Sequence, residues 1–444
     1  MEDQVPTLSR AEMERAMRIS VIDGMLASAS ENMIGPFLAL CALAMGASKG
    51  QIGLLSALPA FLSNILQIPA ARFTENRGER QKLVVVTSGL SRLTIIPIVL
   101  TPVLLKGDAA IYTFIFFVTL RGFINSIGVP GWTSLMADIT PRSIRGSYFG
   151  YRNIMCNLAA LVGTLVAGWF IERAGYPRGY QLSFSAALIL GLLSSYYFST
   201  IPKVPWLRQG KSQRRFMGLR EGWQAVSQYT AFRNYCFTSI LWNFGVTFSG
   251  ALFSVYFREN LGGDPGFWGV VTASGLIAGV FGHRYWGRLA DQFGQKNVML
   301  AGGVGAASVP FLWWILPRWE LAVVAEFISG FCWAGYNLAA FNLILEITPD
   351  EGRTTYVGIY NTLAGLASSV GPLVGGFLAD SIGLPAVIVI SGVLRWVGYF
   401  VFKHNVPVSA DVQMTWRDLI PFSQELRLLR KQLEQRDNDS SLSQ

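Results

Sequence analysis

The chain has 444 residues, of which 51% are apolar and only 14% are Asp, Glu, Lys or Arg. Soluble proteins use these charged residues at about 25%, so a chain this long lacks the polar surface that water demands, and the composition argues against a soluble enzyme, a nucleic-acid binder and a disordered regulator. The net charge of +9 has to be read by position, because basic residues in a membrane protein set its orientation before they select a partner.

In chain order, MEDQVPTLSRAEMERAMRIS mixes acids and bases ahead of the first apolar run, unlike the short basic head of a signal peptide, so that run is read as a retained span. Stretches of about 20 or more apolar residues, enough to cross roughly 30 Å of hydrocarbon, occur at 19–45, 50–71, 83–105, 109–133, 147–171 and 179–201, and again at 234–257, 265–286, 297–316, 319–344, 355–379 and 384–403. The domain plan is therefore a terminal tail at 1–18, a six-helix bundle at 19–201, a linker at 202–233, a second six-helix bundle at 234–406 and a tail at 407–444. The linker is basic, with Leu219, Trp223, Val226 and Tyr229 at helical spacing, which predicts an interfacial helix. The tail repeats the pattern with Leu426, Leu429 and Leu433, read as a solvated or headgroup-resting helix.

With an even number of spans both ends lie on one side. Lys49, Lys106, Arg173, Arg178, Arg258 and Arg318 fall on the opposite side, Arg92, Arg121, Arg284 and Arg395 fall within spans, and the remaining Lys and Arg gather with the termini. The positive-inside rule makes both termini and the linker cytoplasmic. The positive charge is then mostly topology, and no nucleic acid is expected.

The two halves repeat. DITPRSIRGSYFGYRNIMCNLAALVGTLVAGWFIERAG at 138–175 aligns without a gap onto EITPDEGRTTYVGIYNTLAGLASSVGPLVGGFLADSIG at 346–383, sharing Pro141 with Pro349, Arg145 with Arg353, Tyr148 with Tyr356, Asn153 with Asn361 and Gly168 with Gly376. Parallel halves of this kind, with a site between them, are an architecture of secondary transporters.

GRLADQFGQK at 287–296 resembles the loop signature of the major facilitator superfamily, G-x-L-A-D-R-x-G-R-K or close variants. Gly287, Leu289, Ala290, Asp291, Gly294 and Lys296 match, while Gln292 and Gln295 replace arginines. The first-half copy, ARFTENRGER at 71–80, keeps Gly78 and has Glu75 for the Asp. The resemblance covers nearly the whole chain and implies an all-α integral membrane fold of twelve transmembrane helices in two six-helix pseudo-symmetric halves. It also implies that this loop latches the cytoplasmic side, with Asp291 and Glu75 facing Arg145 and Arg353. The bland reading is a tight turn with its charges at the headgroups.

Charges inside spans are sharper clues, since each costs about 2.5–3.5 kcal/mol on insertion scales unless it meets a partner or a wet cavity. Glu31 and Asn32 lie in the first span, Arg121 and Asn125 in the fourth, and Glu326 and Asn337 in the tenth. The resemblance implies that spans 1, 4, 7 and 10 line a central cavity, which would bring in Asn243 and put Trp242, Trp333 and Tyr336 on its walls. Three readings of Glu31 and Arg121 stay open: a permanent ion pair that fixes packing, a pair that opens as Arg121 takes an anion and Glu31 a proton, or two residues that do not meet. Arg92 and Arg395 are expected to pack or snorkel, Asp23 to sit solvated at headgroup level, and Phe244, Tyr256, Trp268 and Trp313 to face lipid or the interface.

Cys41, Cys156, Cys236 and Cys332 show no CxxC spacing, and His283 and His404 are the two histidines, so neither a disulfide framework nor a metal centre is indicated, and no cofactor is expected. The absence of a Walker loop points to a gradient rather than ATP. The span-5 Gly-Pro mark of the family's drug and proton antiporters is missing from ALVGTLVAGWF, and the sugar porters' P-E-S-P-R-like run is missing after span 6. The expectation is a monomeric, multi-pass transporter of a small organic solute in a bacterial-type inner membrane, with the lipid bilayer as its surroundings and protons as the first candidate coupling ion. It is not expected to be an enzyme. The competing reading is a non-transporting assembly factor or sensor of the same fold.

Overall fold

The computed structural model describes residues 9–77, 80–141, 143–202, 227–348 and 353–406. The predicted helices of the linker and the tail lie outside them, apart from the linker's last residues. Twelve spans follow in order: Arg10–Ala44, Lys49–Arg77, Arg80–Leu104, Gly107–Ile139, Arg145–Ala174 and Arg178–Ser199 in the first half, then Thr230–Glu259, Trp268–Phe293, Gln295–Trp314, Trp319–Ile347, Arg353–Ile382 and Leu384–Asn405. They are numbered 1 to 12 below. Among the described residues, nine are long and apolar enough to cross a membrane on length and composition alone.

Local chemistry sets the ends and breaks. Span 1 begins well before its apolar run because Ser9 and Glu12 form a capping box, Ser9 N–H donating to Glu12 at 2.8 Å and Glu12 N–H to Ser9 Oγ at 3.2 Å. Pro36 breaks the same span into a 3-10 turn at Gly35–Phe37. Span 8 ends at Gly294, whose φ of 78° favours glycine and makes the tight turn that the loop signature predicted.

The pairing of helices repeats between halves. Span 1 packs on 5 and 6 as span 7 packs on 11 and 12; span 2 packs on 4 as 8 packs on 10; span 3 packs on 4 and 6 as 9 packs on 10 and 12. The halves meet through span 2 against 11 and span 5 against 8.

At the end away from the termini, here the far end, one apolar core runs through both halves, from Phe37, Phe114 and Phe184 to Phe257 and Trp313. At the terminus end each half keeps its own core, around Leu135 and Met136 in the first and Tyr235 and Trp286 in the second. Among the described residues the halves are therefore joined by one core at the far end and parted, each with its own core, at the terminus end. Three of the aromatics expected to face lipid sit in the shared core instead: Tyr256, Trp268 and Trp313 are buried, with Trp268 and Trp313 rings 5.9 Å apart. Lipid and helix interior are equally apolar, so composition does not separate the two faces.

Candidate functional site

The in-span charges of the first half converge. Arg121 Nη2 donates to Glu31 Oε1 at 2.6 Å, and Arg92 Nη1 reaches the same oxygen at 3.2 Å. The Glu31 side chain is 44% exposed while the Arg121 side chain is 11% exposed, so the glutamate is partly open and the guanidinium is held in the wall. Arg92 packs against other helices as expected, buried against Gly191 of span 6, and it also reaches Glu31 of span 1. Serines pin span 1 at this depth. Ser30 Oγ donates to Ala187 O at 2.7 Å and Ser183 Oγ to Met33 O at 2.8 Å, fixing span 1 to span 6. Ser91 Oγ donates to Arg121 O at 3.1 Å, fixing span 4 to span 3.

The other predicted cavity residues divide. Asn125 and Asn337 are exposed. Asn32 and Asn243 turn their amides back onto their own helices, donating to Ser28 O and Ser239 O at 2.9 and 2.8 Å. Trp242 is buried inside the second half, stacked on Tyr336 at 4.6 Å and edge-on to Trp333 at 6.1 Å. Glu326 is half-buried on span 10, opposite Gly275 of span 8. Arg395 packs as expected, donating to Ala306 O and Val246 O at 3.0 and 3.2 Å.

The faces between halves show where access lies. On span 5, Gly168 meets Gly266 and Gly269, whereas Asn157 and Asn153, further along the same helix face towards the termini, are exposed. On span 11, Gly376 meets Gly53, Asn64 Nδ2 donates to Ser369 Oγ at 3.4 Å, and Asn361 beyond is exposed. These asparagines were missed as site residues, although the repeat that pairs Asn153 with Asn361 carried the signal. Of the predicted gate, Asp291 is exposed and makes no ion pair among the described residues. Lys296 donates to Val406 O at 2.6 Å, and Arg145 to Ala137 O and Thr140 O at 2.8 and 3.3 Å, so each closes the carbonyl end of a helix in its own half. A Cβ added at Gly287 would make only an ordinary contact, with Leu338 at 3.8 Å. Gly78 and the side chains of Glu75 and Arg353 lie outside the described residues.

Asp23 departs from its expectation. It is buried rather than solvated at headgroup level and accepts from Ser194 Oγ at 2.6 Å. With Arg92 and Arg152 it lines a cavity of ≈ 350 Å³ within the first half. Arg152, placed near a span end, was not singled out in the sequence; it is buried over the Trp132 ring at 5.1 Å.

Known proteins share this shape. The family model described as Major Facilitator Superfamily matches residues 24–257 and 235–432. Multidrug resistance protein 3 of Bacillus subtilis (strain 168) is 29% identical over 140 residues, which is 32% of this chain and 25% of that protein. The Na(+), Li(+), K(+)/H(+) antiporter of Planococcus maritimus is 26% identical over 172 residues, 37% of this chain and 40% of the antiporter. The matched segments thus span less than half of these relatives. A bacterial homologue of the human lysosomal transporter Spinster, in an inward-facing and occupied conformation, superposes with a TM-score of 0.69 at 13% identity, covering 89% of this chain and 97% of that one. At that identity the likeness is one of fold.

Proposed function

The chain belongs to the major facilitator superfamily, and from that membership we propose that it moves a small organic anion or zwitterion across the membrane by alternating access, coupled to protons at Glu31. The observation that carries this reading is the single Glu31 oxygen shared by Arg121 at 2.6 Å and Arg92 at 3.2 Å, on a side chain that is partly exposed. The three groups hold one excess positive charge. A proton on Glu31 leaves two guanidinium groups without a counter-charge, which is costly in a low-dielectric wall. An anion arriving at Arg121 restores the balance, so the anion and the proton each favour the other's binding, by the same factor in both directions.

The positive-inside distribution makes the terminus side cytoplasmic, in a bacterial-type inner membrane, and the parted terminus ends then correspond to an inward-open state. Among the described residues Asp291 makes no ion pair there, as expected of a cytoplasmic latch that forms in the opposite state.

The test is a thermal-shift screen of the detergent-purified chain against metabolite anions, amino acids, sugars and lipophilic cations at two pH values, since a ligand that binds only the folded state raises its apparent stability. An anionic or zwitterionic hit that is lost in Arg121→Ala, and whose pH dependence disappears in Glu31→Gln, supports the reading. A hit indifferent to both substitutions removes the pair from the substrate site.

A further inference from the structure

The ≈ 350 Å³ cavity inside the first half is within the size range of small-molecule sites, and two of its walls are buried charges of opposite sign that do not meet. Asp23 is 7% exposed and Arg152 is 9% exposed. Among the described residues, the one hydrogen bond to the Asp23 carboxylate comes from Ser194, onto Oδ1. Arg152 commits only Nε, to the carbonyl and hydroxyl of Ser20 at 3.2 and 3.3 Å. Among the described residues neither Nη of Arg152 has a hydrogen-bond partner, and no ion pair within 4.0 Å joins it to Asp23. Buried charges are costly unless paired, so opposite charges kept apart around open volume call for a bridge with a donor at one end and an acceptor at the other.

We infer that this cavity is a binding site for a small zwitterion, its ammonium group on Asp23 and its carboxylate on the two Nη groups of Arg152. The guanidinium is positioned for it. Trp132 lies against its face, and Gly24 makes room, since a Cβ there would come within 2.6 Å of Nη2. Asn125 and Val129, both exposed, stand at the mouth. The site is separate from the Glu31 pair: Arg92 forms the shared wall and is already committed to Glu31. It stands whether or not that pair couples protons.

The experiment is calorimetric titration of the full-length purified chain with glycine, β-alanine, γ-aminobutyrate and 5-aminovalerate, beside butyrate and butylamine, which each carry one end of the bridge. The expected result is saturable binding of one member of the amino-acid series, at least tenfold weaker in Asp23→Asn and in Arg152→Gln and retained in Glu31→Gln. Ala27→Phe, which fills the cavity and leaves both charges in place, is expected to abolish it as well, so the proposal remains testable if a charge variant does not fold. Binding that survives Ala27→Phe but is lost in Glu31→Gln would assign the ligand to the central site and overturn the inference. Butyrate or butylamine binding as tightly as the zwitterion would overturn it too. A wild-type chain that binds no member of the series holds only water there, with the same consequence.

Discussion

Room for an arginine inside a membrane bundle is made by a glycine on the facing helix. Gly191 of span 6 lies against the Arg92 side chain, and Gly24 of span 1 lies against the Arg152 head. An added Cβ at 191 would collide with Arg92, whereas Gly89 on span 3 has nothing within 4 Å. Gly191→Ala is therefore expected to destabilise by about 1–3 kcal/mol, the usual cost of overpacking, and to loosen Arg92 from Glu31. Gly89→Ala, relieved of glycine's backbone entropy, is expected to be neutral or slightly stabilising. Thermal midpoints of the two variants, measured side by side, check this; equal midpoints would mean that Arg92 is not confined as described. At this scale the sequence was readable where a charge stood alone in the middle of an apolar run, as at Glu31 and Arg121. It was not readable at Asp23 and Arg152, because a charge within two turns of a span end looks the same whether it turns into the bundle or out to the headgroups.

The closed far end is built by helices meeting across the halves. Asp380 of span 11 accepts from the backbone N–H groups of Lys49 and Gly50 at 2.9 and 2.8 Å, so one half caps the first turn of span 2 in the other. Lys49 Nζ adds an ion pair with Glu259 at 3.1 Å. Below this cap Gly53 lies against the Pro372 carbonyl and Gly376, and only small residues allow that approach. Gly53→Val and Asp380→Asn are both expected to part the far end. The check is a membrane-impermeant thiol reagent added from the far side to a chain carrying Asn125→Cys, with Cys156 and Cys332 replaced by Ser. It should label slowly in the parent and at least several-fold faster in Gly53→Val. Equal rates would show that this contact does not control access. The twelve spans and their repeat were legible because hydropathy and pseudo-symmetry are recorded along the chain. Which aromatic faces lipid was not, since Trp268 and Trp313 experience an apolar environment on either face and helical periodicity carries no inside-outside signal there.

Across the whole molecule, the repeated pairing of helices makes each half a unit, joined at the far end by one core and divided at the other into two. In the proposed function, such units would exchange an opening at one end for an opening at the other by rocking about the site between them. In this account the exchange is set by the charge balance around Glu31: neutralising Glu31 without supplying an anion leaves Arg92 and Arg121 uncompensated and biases the distribution of states. Glu31→Gln should therefore shift the populations even in the absence of solute.

The most direct test of that claim is a pair of spin-label distances across the halves, Lys106→Cys with Glu320→Cys at the far end and Ser147→Cys with Gln292→Cys at the terminus end, all four positions being exposed. The prediction is two populations whose proportions move in opposite senses at the two ends, the far-end distance lengthening as the terminus-end distance shortens, with the balance altered by pH in the parent chain and insensitive to pH in Glu31→Gln. One fixed distance at each end, unchanged by pH, by a bound anion and by Glu31→Gln, would contradict alternating access driven from this site.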